Sequence, residues 1–217
     1  MESAKESLNL KADVERAIKT GTTTIGTIYK DGVIIATESQ ATAGMYVASR
    51  DAQKLFKIND YCAATISGGV ADCQYVVNQV RALSNLRKIE TNLVPEVKYV
   101  ANNVRNILFQ GRSYFLAMMI VGGYSRDLKK GVLYGIDLLG TLFEEYRFLS
   151  YGSGSPYALG TIEADWKPDM TEKQAYDLIK RALTSSVTRD AGSGYTFQIV
   201  KITNAGFTPL EGYHNGN

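Results

Sequence analysis

Apolar positions along the chain follow two periods, and the switches between them divide it into strands and helices. From Thr22 to Tyr29 the pattern suits a strand, and Lys30-Asp31-Gly32 is a hairpin turn signal. Val33-Ile34-Ile35-Ala36-Thr37 is a short apolar run of the kind found in strands buried on both faces. Leu55 to Ile58, Asn59-Asp60 and Tyr61 to Ser67 read as strand, turn, strand, and Gly68-Gly69 breaks the pattern. The period then lengthens. Cys73, Val76, Val77, Val80 and Leu83 recur at three and four residues, which predicts a helix from Val70 to about Lys88. Pro95 opens a second helix with a stripe of Val97, Val100, Val104, Ile107 and Leu108. Tyr114 to Val121, Val132 to Leu138 and Leu142 to Leu149 read as three more strands. Ser155-Pro156 has the form of an N-cap followed by proline at the first helical position. Thr171-Glu172-Lys173-Gln174 fits a capping box, ahead of a face made by Ala175, Leu178, Ile179, Ala182 and Leu183. Tyr195 to Thr203 closes the set as a strand.

The order is strands, two helices, strands, two helices, strand. Runs that do not alternate argue against a parallel βαβ sheet. Two antiparallel sheets packed face to face, with a helix pair on each outer side, bury every stripe named above. The expected fold class is therefore α+β, a four-layer αββα sandwich.

Length and composition narrow the picture. The 217 residues fit one domain with a sizeable core. A net charge of +2, with both signs interspersed, gives no reason to expect nucleic acid or a membrane surface as partner. No apolar run reaches the ~18 residues of a membrane-spanning helix. Residues 1–21 carry Glu2, Glu6, Asp13 and Glu15 and lack an apolar core, so they do not read as a secretory signal. Leu10, Val14, Ala17 and Ile18 in that leader have the spacing of a short amphipathic helix. Cys62 and Cys73 match no metal motif and read as two reduced, buried thiols of a cytoplasmic protein. The single histidine, His214, lies in a polar tail expected to be mobile. That removes the catalytic arrangements built on a positioned histidine, and most zinc sites with them. Neither a metal nor a cofactor is expected. Catalysis in this chain must use lysine, carboxylates, hydroxyls or a terminal amine.

The junction Gly21–Thr22 then becomes interesting. Cutting that bond gives Thr22 a free α-amine beside its own hydroxyl, titrating near pH ~8. Such an amine is a built-in general base for a weak threonine nucleophile. Gly21 has no Cβ to obstruct approach to its carbonyl. Alone, Gly-Thr-Thr is more often an ordinary strand edge. Glu38 at a strand end, Lys54 before the next apolar strand and Gly68 after Thr65-Ile66-Ser67 are further candidates. Ser153 in Gly152-Ser153-Gly154-Ser155-Pro156 and Asp190 and Ser193 in Arg189-Asp190-Ala191-Gly192-Ser193-Gly194 complete the set. Each has a dull reading as a solvated charge, a loop or a helix end.

Together they do not read as dull. In their order and spacing the segments Gly21 to Gly26, Lys30 to Val33, Ala36-Thr37-Glu38, Ala41-Thr42 and Lys54-Leu55-Phe56 resemble the catalytic β subunit of the archaeal-type proteasome core particle. The resemblance continues through Thr65 to Asp72, Asn106-Ile107-Leu108, Val121-Gly122-Gly123, Gly152 to Pro156 and Arg189 to Gly194. It implies the amine-terminal nucleophile hydrolase fold, which agrees with the layer argument. Thr22 would be the nucleophile of a threonine endopeptidase. Lys54 would lower the pKa of its hydroxyl, and Glu38 would hold Lys54 in place. Ser153, Asp190 and Ser193 would tune the amine, and the Gly68 N–H would serve as oxyanion donor. A substrate pocket would be walled by Ala41, Ala52, Ile66, Val70 and Gln74, suited to bulky apolar residues.

The resemblance further implies that residues 1–21 are a propeptide removed by autolysis, leaving 22–217 as the peptidase domain. Implied partners are proteasome α subunits and other β subunits in stacked heptameric rings, a regulatory ATPase acting through the α ring, and unfolded polypeptide substrates. Ser39-Gln40 departs from the family, which often has two basic residues after the acidic position. Two other readings compete. A non-catalytic β subunit keeps the fold but usually loses the nucleophile or the lysine, and both are present here. The simpler bacterial two-ring threonine peptidase lacks the Arg189 to Gly194 segment.

Overall fold

The computed structural model describes residues 21–43, 46–112 and 114–214. The helix predicted over Leu10, Val14, Ala17 and Ile18 lies outside the described residues. Two five-stranded antiparallel sheets form the centre. The first contains β1 (Thr24–Tyr29), β2 (Gly32–Glu38), β10 (Phe148–Tyr151), β11 (Phe197–Thr203) and β12 (Gly206–Glu211), in the order β10-β1-β2-β11-β12. The second contains β5 (Leu55–Asn59), β6 (Cys62–Gly68), β7 (Ala117–Ser125), β8 (Lys130–Ile136) and β9 (Leu142–Glu145), in the order β5-β6-β7-β8-β9. A small hairpin of β3 (Ala41–Ala43) and β4 (Tyr46–Ser49) stands apart from both. The helices are α1 (Val70–Thr91), α2 (Val97–Gln110), α3 (Ser155–Asp165) and α4 (Glu172–Arg189).

The side chains sort into three apolar layers, which is the expected αββα sandwich. Ile34 and Ala36 of β2 face α3 and α4, packing with Ala158, Ile162, Leu178 and Ile179. Their neighbours Val33 and Ile35 face the other sheet, beside Leu55, Ala63 and Val200. Cys62, Ala64 and Ile66 of β6 turn outward to Val76, Val80, Val100 and Leu108 of α1 and α2. Strands covered on both faces need apolar residues at consecutive positions, which is why β2 reads as an unbroken run. Burying one such side chain contributes about 1.5–3 kcal/mol.

Helix ends follow their sequence signals with small shifts. The Thr171 hydroxyl accepts from the Gln174 N–H and the Gln174 side chain accepts from the Thr171 N–H, so the capping box is formed. At α3 the N-cap is Gly154, one residue earlier than Ser155, and Pro156 still sits in the first turn. Glu96 caps α2, so Pro95 precedes the helix. The stretch Leu142 to Leu149 is two strands, not one: β9 pairs with β8 in the second sheet and β10 pairs with β1 in the first. The chain changes sheets at Tyr146-Arg147. The tail is anchored as far as Tyr213, whose ring packs edge-on to Phe207 and whose hydroxyl accepts from the Lys57 N–H at 3.2 Å.

Candidate active site

Five of the sequence-singled positions stand where strands or helices end, and the fold gathers them. Thr22 leads through Thr23 into β1, Glu38 ends β2, Lys54 precedes β5, Ser153 precedes α3, and Asp190 caps the C-terminus of α4. Lys54 Nζ donates to Thr22 Oγ1 at 3.1 Å and to Glu38 Oε1 in a short ion pair. Glu38 Oε1 also accepts from the Thr23 N–H at 3.2 Å. Its Oε2 accepts from the N–H groups of Gln40 at 2.7 Å and Gly194 at 3.0 Å. Glu38 is fully buried and Lys54 is 2% exposed. Burial pushes the Glu38 carboxyl above the usual carboxylate range, opposed by the Lys54 charge and by hydrogen bonds from Lys54, Gly194 and Gln40. Burial likewise pulls the Lys54 ammonium below the ordinary lysine value, opposed by Glu38 and Asp190. Three backbone donors and an ammonium around one carboxylate hold it ionised. Lys54 is thus a cation aimed at the Thr22 hydroxyl.

A second chain of hydrogen bonds reaches the nitrogen of Thr22. The Thr22 N–H donates to Ser153 Oγ at 3.1 Å. Ser153 Oγ and Ser193 Oγ each donate to Asp190 Oδ2 at 2.6 Å, and the Gly192 N–H donates to Oδ1 at 3.2 Å. With its own proton committed to Asp190, Ser193 Oγ accepts from Thr23 Oγ1 at 2.8 Å. The carboxylate therefore fixes both serine hydroxyls as donors and leaves their oxygens facing the threonine segment.

The bond between Gly21 and Thr22 is intact, and Thr22 Oγ1 donates to the Gly21 carbonyl oxygen at 2.6 Å. The hydroxyl thus lies against the oxygen of the carbonyl that precedes it. Gly68 has φ +120°, and a Cβ there would run into the Leu116 carbonyl oxygen. Only glycine takes that backbone conformation without strain. Of the pocket positions, Ala41 and Ala52 are half-buried, and Val70 and Gln74 are exposed. Ile66 is 2% exposed and belongs to the layer under α1. Thr23, Gln40 and Gly192 are site residues that sequence reasoning missed. For Gln40 a signal existed, its departure from the usual basic residue. For Thr23 and Gly192 none did, because both act through neighbours brought in by the fold.

Among the described residues no group of three or more His, Cys, Asp or Glu side chains could hold a metal ion. No described helix is long and apolar enough to cross a membrane. Both cysteines are buried, and burial pushes the Cys73 thiol up to about 12 and raises the Cys62 thiol as well.

The layered sheets and helices are the α+β sandwich of the amine-terminal nucleophile hydrolases. The family model described as "Proteasome subunit" matches residues 18–202. "Proteasome subunit beta 1" of Korarchaeum cryptofilum is 43% identical over 187 residues, covering 86% of this chain and 89% of the relative. "Proteasome subunit beta 2" of Pyrobaculum islandicum is 41% identical over 187 residues, covering 86% and 92%. "Proteasome subunit beta" of Ferroglobus placidus is 39% identical over 191 residues, covering 88% and 90%. The chain belongs to the proteasome subunit family, among its β subunits.

Proposed function

We propose that this chain is a threonine endopeptidase of a proteasome core particle, made as a zymogen and activated by cutting its own Gly21–Thr22 bond. The observation that carries the reading is the placement of Lys54 Nζ 3.1 Å from Thr22 Oγ1 while Glu38 holds that ammonium from the other side. A buried ion pair that directs its ammonium at a threonine hydroxyl supports this reading over that of a subunit that only builds the ring.

In the activating step Thr22 Oγ1 attacks the Gly21 carbonyl carbon. The O–C bond forms, the C–N bond breaks, and the hydroxyl proton passes to the Thr22 nitrogen. Lys54 stabilises the developing alkoxide electrostatically. Water then hydrolyses the ester, releasing residues 1–21 with a Gly21 carboxylate and regenerating the hydroxyl. Thr22 now carries a free amine beside Ser153. With a polypeptide substrate, that amine accepts the hydroxyl proton as Oγ1 attacks the scissile carbonyl, and returns it to the leaving amine. The Gly68 N–H supplies the oxyanion donor, a contribution of about 3 kcal/mol in other acyl-transfer enzymes. Water hydrolyses the acyl-threonine. The chemistry needs no histidine, metal or cofactor.

In this reading the chain works in stacked heptameric rings with α subunits and other β subunits, in the cytoplasm. Unfolded polypeptides are its substrates, delivered by a regulatory ATPase at the α ring. The decisive experiment is intact mass and peptidase activity of the chain co-assembled with an α subunit, wild type against Thr22→Ala. Loss of residues 1–21 and activity in the wild type alone are expected. An unprocessed, inactive wild type in complete particles would make this a structural subunit.

A further inference from the structure

Gln40 follows the end of β2 by two residues and is 5% exposed. Its N–H donates to Glu38 Oε2 at 2.7 Å. Its side-chain amide turns the other way, donating from Nε2 to the Ala191 carbonyl at 2.9 Å and to Thr42 Oγ1 at 3.2 Å. Its Oε1 packs against Gly194, where a Cβ would come within 2.5 Å of it. The Gly194 N–H in turn donates to Glu38. Gln40 thus closes a loop of contacts between the carboxylate that holds Lys54 and the Asp190–Gly194 segment that holds Ser153 and Ser193. Ser39 extends the stitching. Its Oγ accepts from the Thr196 N–H at 3.0 Å and donates to the Arg50 carbonyl at 2.7 Å.

We propose that Gln40 is a positioning residue that latches the Lys54–Glu38 half of the site to the Asp190–Ser193 half through an uncharged amide. The proposal rests on the peptidase reading above. Two physical consequences follow. Without the amide, the Ala191 carbonyl loses a donor, and an unmade bond of that kind is costly. One tie between the Glu38 strand end and the Asp190 segment is then gone, leaving the Gly194 N–H on Glu38, the Thr196 N–H on Ser39 and the Ser193–Thr23 contact, and the segment is freer to shift relative to the Thr22 nitrogen. The second consequence is electrostatic. A neutral residue at this point leaves the Glu38 and Asp190 carboxylates to act on Lys54 and on the Thr22 amine undiminished. A cation here would offset both.

The test compares Gln40→Met, which keeps the volume and removes the donor, with Gln40→Arg, which keeps a donor and adds charge. Both are measured in particles co-assembled with an α subunit. For Gln40→Met, kcat is expected to fall about 10- to 100-fold with KM nearly unchanged, as for a sub-ångström-scale misplacement of catalytic groups. Hydrogen exchange across residues 190–196 should quicken. Gln40→Arg should recover most of the rate while its acid limb moves to lower pH, because added positive charge disfavours the protonated amine. Wild-type kcat, pH profile and exchange in Gln40→Met would overturn the latch. A rate loss in Gln40→Arg as large as in Gln40→Met, with an unmoved acid limb, would also overturn it. If the wild-type particle itself lacks activity, the peptidase reading fails, and exchange at 190–196 still decides whether the latch exists.

Discussion

Gly21 and Gly192 meet backbone to backbone. A Cβ on Gly21 would run into the Gly192 main chain, and a Cβ on Gly192 would run into the Gly21 Cα. The residue before the threonine is therefore glycine for a reason beyond access to its carbonyl. It lies flat against the same loop that carries Asp190 and Ser193. A methyl group at either position forces the Gly21 carbonyl away from Thr22 Oγ1, which now hydrogen-bonds it at 2.6 Å.

Gly21→Ala should accordingly assemble but keep its leader, read by intact mass, and should show little peptidase activity. Gly160→Ala is the control. Gly160 lies inside α3, and a Cβ there meets nothing within 4 Å. Replacing a helix-interior glycine by alanine in open space stabilises by about 0.5–1 kcal/mol. Processing should be normal and the melting temperature slightly raised. Full leader removal in Gly21→Ala would show that the glycine contact does not position the bond.

Lys54→Ala removes the charge partner of a fully buried carboxylate, a change that costs roughly 3–5 kcal/mol in comparable sites. The pH dependence has a definite sign. Burial already raises Glu38 above its ordinary value of 4.5, and the Lys54 charge opposes that rise. Without Lys54 the folded-state value climbs further, while the unfolded value stays put. A raised carboxyl contributes stability that is present below the unfolded value and lost as pH rises through the folded one. The stability gap between wild type and Lys54→Ala should thus be widest at pH 7 and narrow toward pH 5. Thermal unfolding at the two pH values measures it. A gap that stays constant would mean that Glu38 is neutral with or without the lysine.

Much of this architecture is legible in the sequence because burial leaves a period behind. The α4 face of Ala175, Leu178, Ile179, Ala182 and Leu183 is buried as a unit, and the Thr171 capping box marks its start. The β3–β4 hairpin is not legible, because its residues are half-buried or exposed and carry no stripe. β12 contains Pro209 and mostly exposed or half-buried positions, and it hides for the same reason. The break between β9 and β10 is invisible because each piece is a short strand by itself, and only pairing partners tell them apart. At the site, periodicity has nothing to say. Thr22, Glu38, Lys54 and Asp190 meet through strand ends and a helix C-terminus, and only the spacing of whole segments, matched to a family, points to them. Gln40 stands out in the sequence only as an oddity, and its two hydrogen-bonding directions show only in the fold.

In the proposed mechanism Asp190 acts through Ser153 and Ser193, whose hydroxyls both donate to it, so its shape and its charge can be separated. Asp190→Asn keeps the volume but replaces one acceptor oxygen by a donor, which must face either the two serine hydroxyls now on Oδ2 or the Gly192 N–H now on Oδ1. Either orientation breaks a hydrogen bond: with the NH2 toward the serines both hydroxyls lose their acceptor, and with the NH2 toward Gly192 two donors meet and the loop must shift. The amine also loses a nearby negative charge, so it holds its proton less tightly. Expected outcomes are a kcat lowered by about 10²-fold or more, as when the orienting carboxylate of other triads is neutralised, and an acid limb moved to lower pH. Stopped assays of kcat and kcat/KM across pH 5 to pH 9 would check both. An unchanged profile would remove Asp190 from the proton-handling chain.

Cleavage preference tests the pocket expectation directly. Ala41 and Ala52 are small and half-buried, Val70 and Gln74 are exposed, and Ile66 is buried in the layer under α1. None of the five carries a charge. A pocket that prefers an arginine needs a carboxylate to replace the water lost from the guanidinium, because burying a charge without a partner is unfavourable. A bulky apolar residue needs only room and an apolar wall, gaining about 25 cal/mol per Å² of surface removed from water. Fluorogenic peptides ending in Leu or Tyr before the scissile bond should therefore be cut with a higher kcat/KM than the matching Arg peptide. Ala52→Asp should narrow that difference by raising kcat/KM for the Arg peptide. Faster cleavage after Arg by the wild-type particle would mean that charge from outside these five residues governs the pocket.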